Sequence, residues 1–348
     1  MSGMPFWKKA GTIGLDIDSN LIRVVALQGS SSSPVISHIG RIPLPTDAVR
    51  EGVIHNVPMV AEVLHDYWED KNLSTENIVI GLANNGVRIR TASFPKLPMD
   101  KLAKVIRYQS EDFFPIPLAQ LVLDFTVIGE TTGERGAMHH VLLVAARREE
   151  LNKSIQAVTD AGLYPAVVDL SVLSLTRLVP QETASYIVVD IAYGVACFLL
   201  VDGEIPKICR VIPHGVLTYI GDSGQTLDRV LSSNSTLDTS DAQSISPSTG
   251  NETAVDEWAL ILANELRTTL SYYSVQPGAR AIQKVYLSGL GSRIQGIPEI
   301  ISEDLELPVE ILTPFRRLKL DSSIGSISVH EESEFAVAVG LALRGMEG

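Results

Sequence analysis

The stretch IGLDIDSNLIRVVALQG (Ile13 to Gly29) returns later in the chain as IVVDIAYGVACFLLVDG (Ile187 to Gly203), with an Asp-Ile pair at the same offset in each copy. Each copy reads as an apolar strand ending in an aspartate, a tight turn of small or polar residues, and a second apolar strand. A third strand follows, running into Gly40-Arg41-Ile42-Pro43 in one copy and Arg210-Val211-Ile212-Pro213 in the other. The copies lie much further apart than successive units of a solenoid, so they predict a duplicated β-hairpin domain. The most apolar run, Tyr186 to Val201, is short for a membrane-spanning helix and carries Asp190. Its β-branched residues and the Asp202-Gly203 turn that follows predict two buried strands.

Between the copies the pattern alternates. Helices are predicted over Pro58 to Asn72, Met99 to Phe114 and Arg148 to Gly162. Strands are predicted over Asn77 to Leu82, Gly86 to Phe94, Gln120 to Gly129 and His139 to Ala146. The segment after Pro95 reads as an inserted β-α-β-β-α subdomain. Beyond the second copy, residues 221–253 are dense in Ser, Thr, Asp, Asn and Gly and read as an exposed loop. A long helix follows (Ala254 to Ser274), then a strand running into Ser288-Gly289-Leu290-Gly291, a helix, a strand at Val309 to Ile311, and a closing helix (Glu334 to Leu343). The expected division is residues 1–94 for the first lobe, 95–165 for the inserted subdomain and 166–183 for the return to the first lobe. Residues 184–330 form the second lobe, and 331–348 a C-terminal helix packing on the first.

Charge narrows the function classes. With 28 Lys+Arg against 41 Asp+Glu, a net −13, the chain lacks the basic excess that binds phosphate backbones, so nucleic acid is not an expected partner. Its two cysteines, Cys197 and Cys209, sit in apolar strand-like runs and read as buried thiols. No HExxH or CxxC spacing suggests a metal site. The start, MSGMPFWKKAG, lacks a secretory signal and reads as a frayed terminus, so a cytoplasmic location is expected.

Two hairpins that each end a strand in Asp can hold nucleotide phosphates in their turns, with Asp16 and Asp190 orienting a hydrated Mg²⁺. The Ser-Gly-Leu-Gly turn then lies near a nucleoside. In this order around a duplication, these pieces resemble the actin-like ATPase superfamily. Closer still is the type IV pilus assembly protein PilM family, relatives of the division protein FtsA. That resemblance rests on Ile13 to Leu27, on FPKLPMDKLAKVIRYQSEDFFPIPLAQLVLDFTVIG (Phe94 to Gly129), on VLLVAARREELNKSIQAVTDAGLYPAVVDLSVLSLTRL (Val141 to Leu178), and on FAVAVGLAL (Phe335 to Leu343). The middle segments are the specific part, because general actin-like kinases do not carry that inserted subdomain.

The resemblance implies an α/β, duplicated actin-like (ribonuclease H-like) two-lobe fold with an inserted subdomain. That subdomain, with the first lobe, forms a groove for the N-terminal cytoplasmic tail of a PilN-like membrane protein. It further implies other pilus platform or motor proteins as partners, at the inner face of the cytoplasmic membrane. ATP with Mg is the implied cofactor, at Asp16, Asp18, Ser19, Asn20, Arg23, Asp190, Gly194, Gly289 and Gly291. Several of these positions depart from the family pattern: Asp18 stands where glycine is expected, and Ala192 follows Asp190-Ile191 where glycine is usual. Ala196 replaces a common Thr, and Leu290 a second consecutive glycine. These departures point to a weakened or lost ATP site, with a retained site as the alternative.

No residue carries a specific signal for a catalytic base, so a docking scaffold is expected rather than turnover; an active ATPase or phosphotransferase is the rival reading. Arg88, Arg90 and Phe94 alternate along one strand and so share a face able to receive an extended tail, unless the arginines merely guard a solvated edge. Phe113 and Phe114 are further candidates for lining a groove, although adjacent aromatics at a helix end more often pack in a core, which is the favoured reading for them. An FtsA-like polymer at the membrane needs a C-terminal amphipathic anchor, and the sequence ends Arg344-Gly345-Met346-Glu347-Gly348 without that pattern.

Overall fold

The two hairpins of the duplicated sequence nucleate two sheets with one connectivity. A computed structural model describes residues 11–133, 136–223, 249–325 and 327–347. The first ten residues and most of the Ser-rich segment, read above as a frayed start and an exposed loop, lie outside the described residues. In the first half, strands β1 (Thr12–Ile17), β2 (Leu21–Ser30) and β3 (Ser33–Pro43) form an antiparallel meander. The two-residue strands β4 (Val49–Arg50) and β5 (Val53–Ile54) pair separately. Strand β6 (Ile78–Leu82) joins β1 in parallel.

An inserted three-stranded sheet follows, in the order β7 (Arg88–Pro95), β9 (Gly136–Arg147), β8 (Leu121–Gly133). The chain then returns as β10 (Pro165–Leu170), parallel to β6. The second half repeats the plan with β11 (Ser185–Ile191), β12 (Ala196–Asp202), β13 (Ile205–Ile212), β14 (Lys284–Ser288) and β15 (Val309–Ile311). Each sheet thus orders its own strands third, second, first, fourth, fifth, and a late strand β16 (Lys319–Leu320) adds to the outer edge of β3. This is the duplicated actin-like α/β fold.

Burial on both sheet faces explains why the central strands lack apolar–polar alternation. Every residue of β1, β6, β11 and β12 is buried. One face of the first sheet packs on helices α1 (Val57–Lys71) and α3 (Arg148–Asp160), between which the chain forms α2 (Met99–Tyr108) of the insertion. One face of the second sheet packs beneath α4 (Val216–Ser223), α5 (Thr249–Ser274) and α6 (Ile297–Leu305). The two remaining faces share one core with α7 (Ala336–Met346), which lies against β1, β2 and β6.

Local chemistry sets the helix ends. The Asn56 side chain accepts from the Met59 amide at 3.1 Å to start α1, and Asn72, in the left-handed region at φ 50°, stops it. Several boundaries differ from the sequence reading: β7, expected in the first lobe, belongs to the inserted sheet, which therefore begins before residue 95. The helix expected over Met99 to Phe114 breaks at Gln109, where the buried Ser110 hydroxyl donates to the Arg107 carbonyl at 2.8 Å and diverts the backbone. Helix α5 starts five residues earlier than expected, taking Thr249 out of the Ser-rich loop.

Helix α7 reaches β1 because Gly14 carries no side chain: a Cβ there would lie 1.9 Å from the Ala338 carbonyl oxygen. Gly14→Ala must therefore push the helix off the sheet. A loss of about 3 kcal/mol is expected in urea unfolding, at the upper end of overpacking costs. An unchanged midpoint would show that helix and sheet are not in contact.

Candidate functional site

The tips of the two hairpins meet, and the residue that joins them is Asp18. Its carboxylate Oδ1 accepts from the amides of Ser19 at 2.7 Å and Gly194 at 3.2 Å, while Oδ2 accepts from the Tyr193 amide at 2.8 Å and from Arg23 Nη1 at 3.2 Å. A carboxylate has about four lone-pair sites, and here all four are used. Two of the donors belong to the second hairpin. That hairpin is held rigid because its Ala192 and Tyr193 carbonyls accept from Val216 and Leu217 at the start of α4, at 3.0 and 2.8 Å.

Arg23, 1% exposed, is the largest fully buried side chain of the described residues. Its Nη1 also reaches Asp16 at 3.3 Å, and its Nε donates to Glu334 at 3.3 Å. Glu334 lies just before α7 and takes a two-pronged contact from Arg41 at 3.1 and 3.2 Å, plus Arg293 at 2.9 Å. One carboxylate thereby ties β2, β3, the turn after β14 and the C-terminal helix together. Nothing in the sequence reading singled out Glu334, Arg41 or Arg293 for this site. The only signal was an acid placed directly before the apolar FAVAVG run, with arginines late in the β3 strand and after the Ser-Gly-Leu-Gly turn.

Asp190 accepts from the Ser288 hydroxyl at 2.8 Å. Burial pushes its carboxyl up to about 6 despite that bond, and burial pushes Asp16 up to about 7 against the pull of Arg23. Burial also acts to raise Glu334, but Arg23 and then Arg41 hold it below the usual carboxylate range. The turn glycines serve packing. A Cβ on Gly194 would lie 2.1 Å from Ser19 Oγ, and one on Gly291 would lie 2.3 Å from Ile191 Cγ2. Gly289, at φ 81°, donates its amide to the Ser333 carbonyl at 3.1 Å, so this turn is fastened to the segment that leads into α7. Ser19 and Asn20 line a cavity of about 390 Å³ outside the clasp, with Arg50, Glu51 and Thr218.

These residues do not fit ATP with Mg. The amides able to cradle a phosphate already hold Asp18, and the Asp16 carboxylate is engaged by the Arg23 guanidinium. A phosphate brought to these amides has to displace the Asp18 carboxylate that already accepts from them.

The structure separates the residues expected to dock a partner. Phe94 and Phe114 are each 1% exposed in the core of the inserted subdomain with Leu102 and Ile106 of α2, and the partly buried Phe113 ring packs 5.7 Å from that of Phe94. Alternation along β7 puts Arg88, Arg90 and Phe94 on one face, but α2 covers its Phe94 end, which corrects Phe94 to a structural role, while Phe113 and Phe114 pack in the same core. Arg88 and Arg90 line a groove of about 650 Å³ facing β13 of the second lobe, together with Lys207 and Tyr272. A second groove, of about 420 Å³, runs between the inserted subdomain and the first lobe. Its walls are β8 at Val122, Asp124 and Thr126, and β10 at Val168 and Leu170, with Leu173 beyond. Strands β8 and β10 are edge strands of their sheets, so each presents unpaired backbone groups.

The sequence profile of the type IV pilus assembly protein PilM family matches residues 14–346. Among solved structures, a PilM–PilN type IV pilus biogenesis complex aligns at TM-score 0.79 and 23% identity, covering 97% of this chain and 99% of that one. The ethanolamine utilization protein EutJ from Carboxydothermus hydrogenoformans aligns at TM-score 0.50 and 12% identity, covering 96% and 89%. At these identities the structural likeness shows the fold.

Asp190 makes stability depend on pH with a definite sign. Its carboxyl titrates near 6 when folded and near 3.8 when free, so the stability it contributes is full below the lower value and is lost as pH rises through the upper. Asp190→Asn keeps an acceptor for Ser288 and removes that loss. Urea unfolding from about pH 5 to pH 8 should show the variant gaining on the parent by about 1.4 kcal/mol. A pH-independent difference would place the Asp190 titration elsewhere.

Proposed function

The chain belongs to the type IV pilus assembly protein PilM family, and from that membership we propose that it works as a docking scaffold. Its partner is the N-terminal tail of a PilN-like membrane protein, which it receives in the groove between the inserted subdomain and the first lobe. It thereby sits peripherally at the inner face of the cytoplasmic membrane and links that partner to other assembly-platform proteins. The similar solved complex pairs PilM with PilN, which supports the choice of partner. Among the described residues no helix is long and apolar enough to cross a membrane.

The observation that carries the reading is the pair of facing edge strands. An extended tail can add to β8 or β10 through main-chain hydrogen bonds while alternate side chains enter the apolar floor formed by Leu142, Val144 and Leu173. Asp169 and Arg177, paired at 3.2 Å, give one end of the groove a polar boundary. No residue of this groove is asked to do covalent chemistry. The clasped cleft between the hairpins likewise supports scaffolding over turnover.

Docking is measured by fluorescence anisotropy with a labelled peptide of a PilN-like N-terminal tail. Val122→Glu, which puts a charge into the groove wall, should weaken binding about tenfold or more, equivalent to at least 1.4 kcal/mol. Arg90→Glu, in the groove facing β13, should leave binding unchanged. The reverse pattern moves the docking site to the Arg88–Arg90 groove, and absence of binding to the folded parent ends the reading.

A further inference from the structure

We infer that Asp18 is a tethered ligand: its carboxylate fills an oxyanion site built by the second hairpin and, with Arg23 as the matching cation, holds the two lobes together without a bound nucleotide. The inference stands on the cleft alone and is independent of where a partner docks. An ordinary ion pair needs only the guanidinium. Here the carboxylate also takes two main-chain amides from a turn that belongs to the other copy of the duplication, Tyr193 at 2.8 Å and Gly194 at 3.2 Å. Converging backbone amides of this kind form a concave anion site. The site is preorganised, since the Ala192 and Tyr193 carbonyls are fastened to α4. It is also complete, since each carboxylate oxygen accepts twice.

The surroundings are shaped to the tethered group. The contact of Ser19 with Gly194 brings the two turns together with no space for a Cβ between them. The Arg23 guanidinium lies between the carboxylates of Asp16, Asp18 and Glu334, supplying the positive charge that a cluster of acids requires. The third turn is bonded to Ser333: Gly289 N–H to its carbonyl at 3.1 Å, and the Ser292 and Ser333 hydroxyls at 3.0 Å. The ligand class that this amide pair takes is a small oxyanion, and in this chain residue 18 supplies it.

Removal of the tether tests the inference by chemical rescue. Asp18→Ala should lower the midpoint of thermal unfolding, and added acetate or inorganic phosphate should restore it along a saturating curve. At matched ionic strength with chloride the parent should show no comparable gain. A folded variant that no oxyanion restores, or a parent that gains as much as the variant, overturns the inference. Should Asp18→Ala fail to fold, the parent itself decides. Slow hydrogen exchange at the Gly194 amide together with no calorimetric binding of Mg-ATP upholds the tether, and fast exchange or saturable Mg-ATP binding overturns it.

Discussion

A guanidinium that is almost wholly removed from water has to be surrounded by carboxylates, and the placement of Arg23 imposes that demand on the rest of the molecule. Asp16 and Asp18 supply two of its partners from the first hairpin, and Glu334 supplies the third from the approach to α7. Each of those acids then needs its own satisfaction. Asp18 finds it in the second hairpin, and Glu334 in Arg41 and Arg293. The β1–β2 hairpin, the β11–β12 hairpin, the turn after β14 and the C-terminal helix therefore converge on one charged centre. Removing a member of such a network costs more than the contact it makes, because the remaining charge stays buried without a partner.

The charged centre sits where the two copies of the duplication face one another, and that explains which parts of the fold were readable from the chain. The hairpins were legible because their pattern is local: apolar runs of fixed length, an Asp-Ile pair at one offset, a turn, and a second run. The inserted subdomain was legible in outline because Pro95, Pro98, Pro115 and Pro117 punctuate it. Asp18 stood out as an acid in a glycine's place. Its meaning was not legible, because the amides of Tyr193 and Gly194 that explain it lie on the other copy and carry no side-chain signature. Backbone donors are identical at every residue other than proline, so only the fold reveals which of them converge.

The misreading of Phe94 has a related cause. Period-two alternation along β7 assigns residues to a face, and that assignment was sound. It does not say what covers the face, which changes along the strand. The Phe94 end lies under Leu102 and Ile106 of α2, while the Arg88 end passes the cover and opens toward β13. Aromatic side chains bury more surface than any other, so a strand that runs from shelter into solvent places them at the sheltered end and its arginines at the other.

Helix α7 connects the charged centre to the groove. Glu334 immediately precedes its first turn, and Arg344, in its last turn, lines the groove between the inserted subdomain and β10. Its 11 residues form a rod of about 16 Å, packed on β1 through the close approach at Gly14 and on the Ser174 carbonyl at Gly340. Such a rod does not bend, so its position at one end sets its position at the other. A carboxylate fixed to the chain cannot leave. With Asp18 in the amide site and Glu334 on Arg23, the start of α7 is tied to both hairpins while its last turn lines the groove. Preorganisation of that kind removes the ordering cost that a mobile groove would charge against a short extended tail.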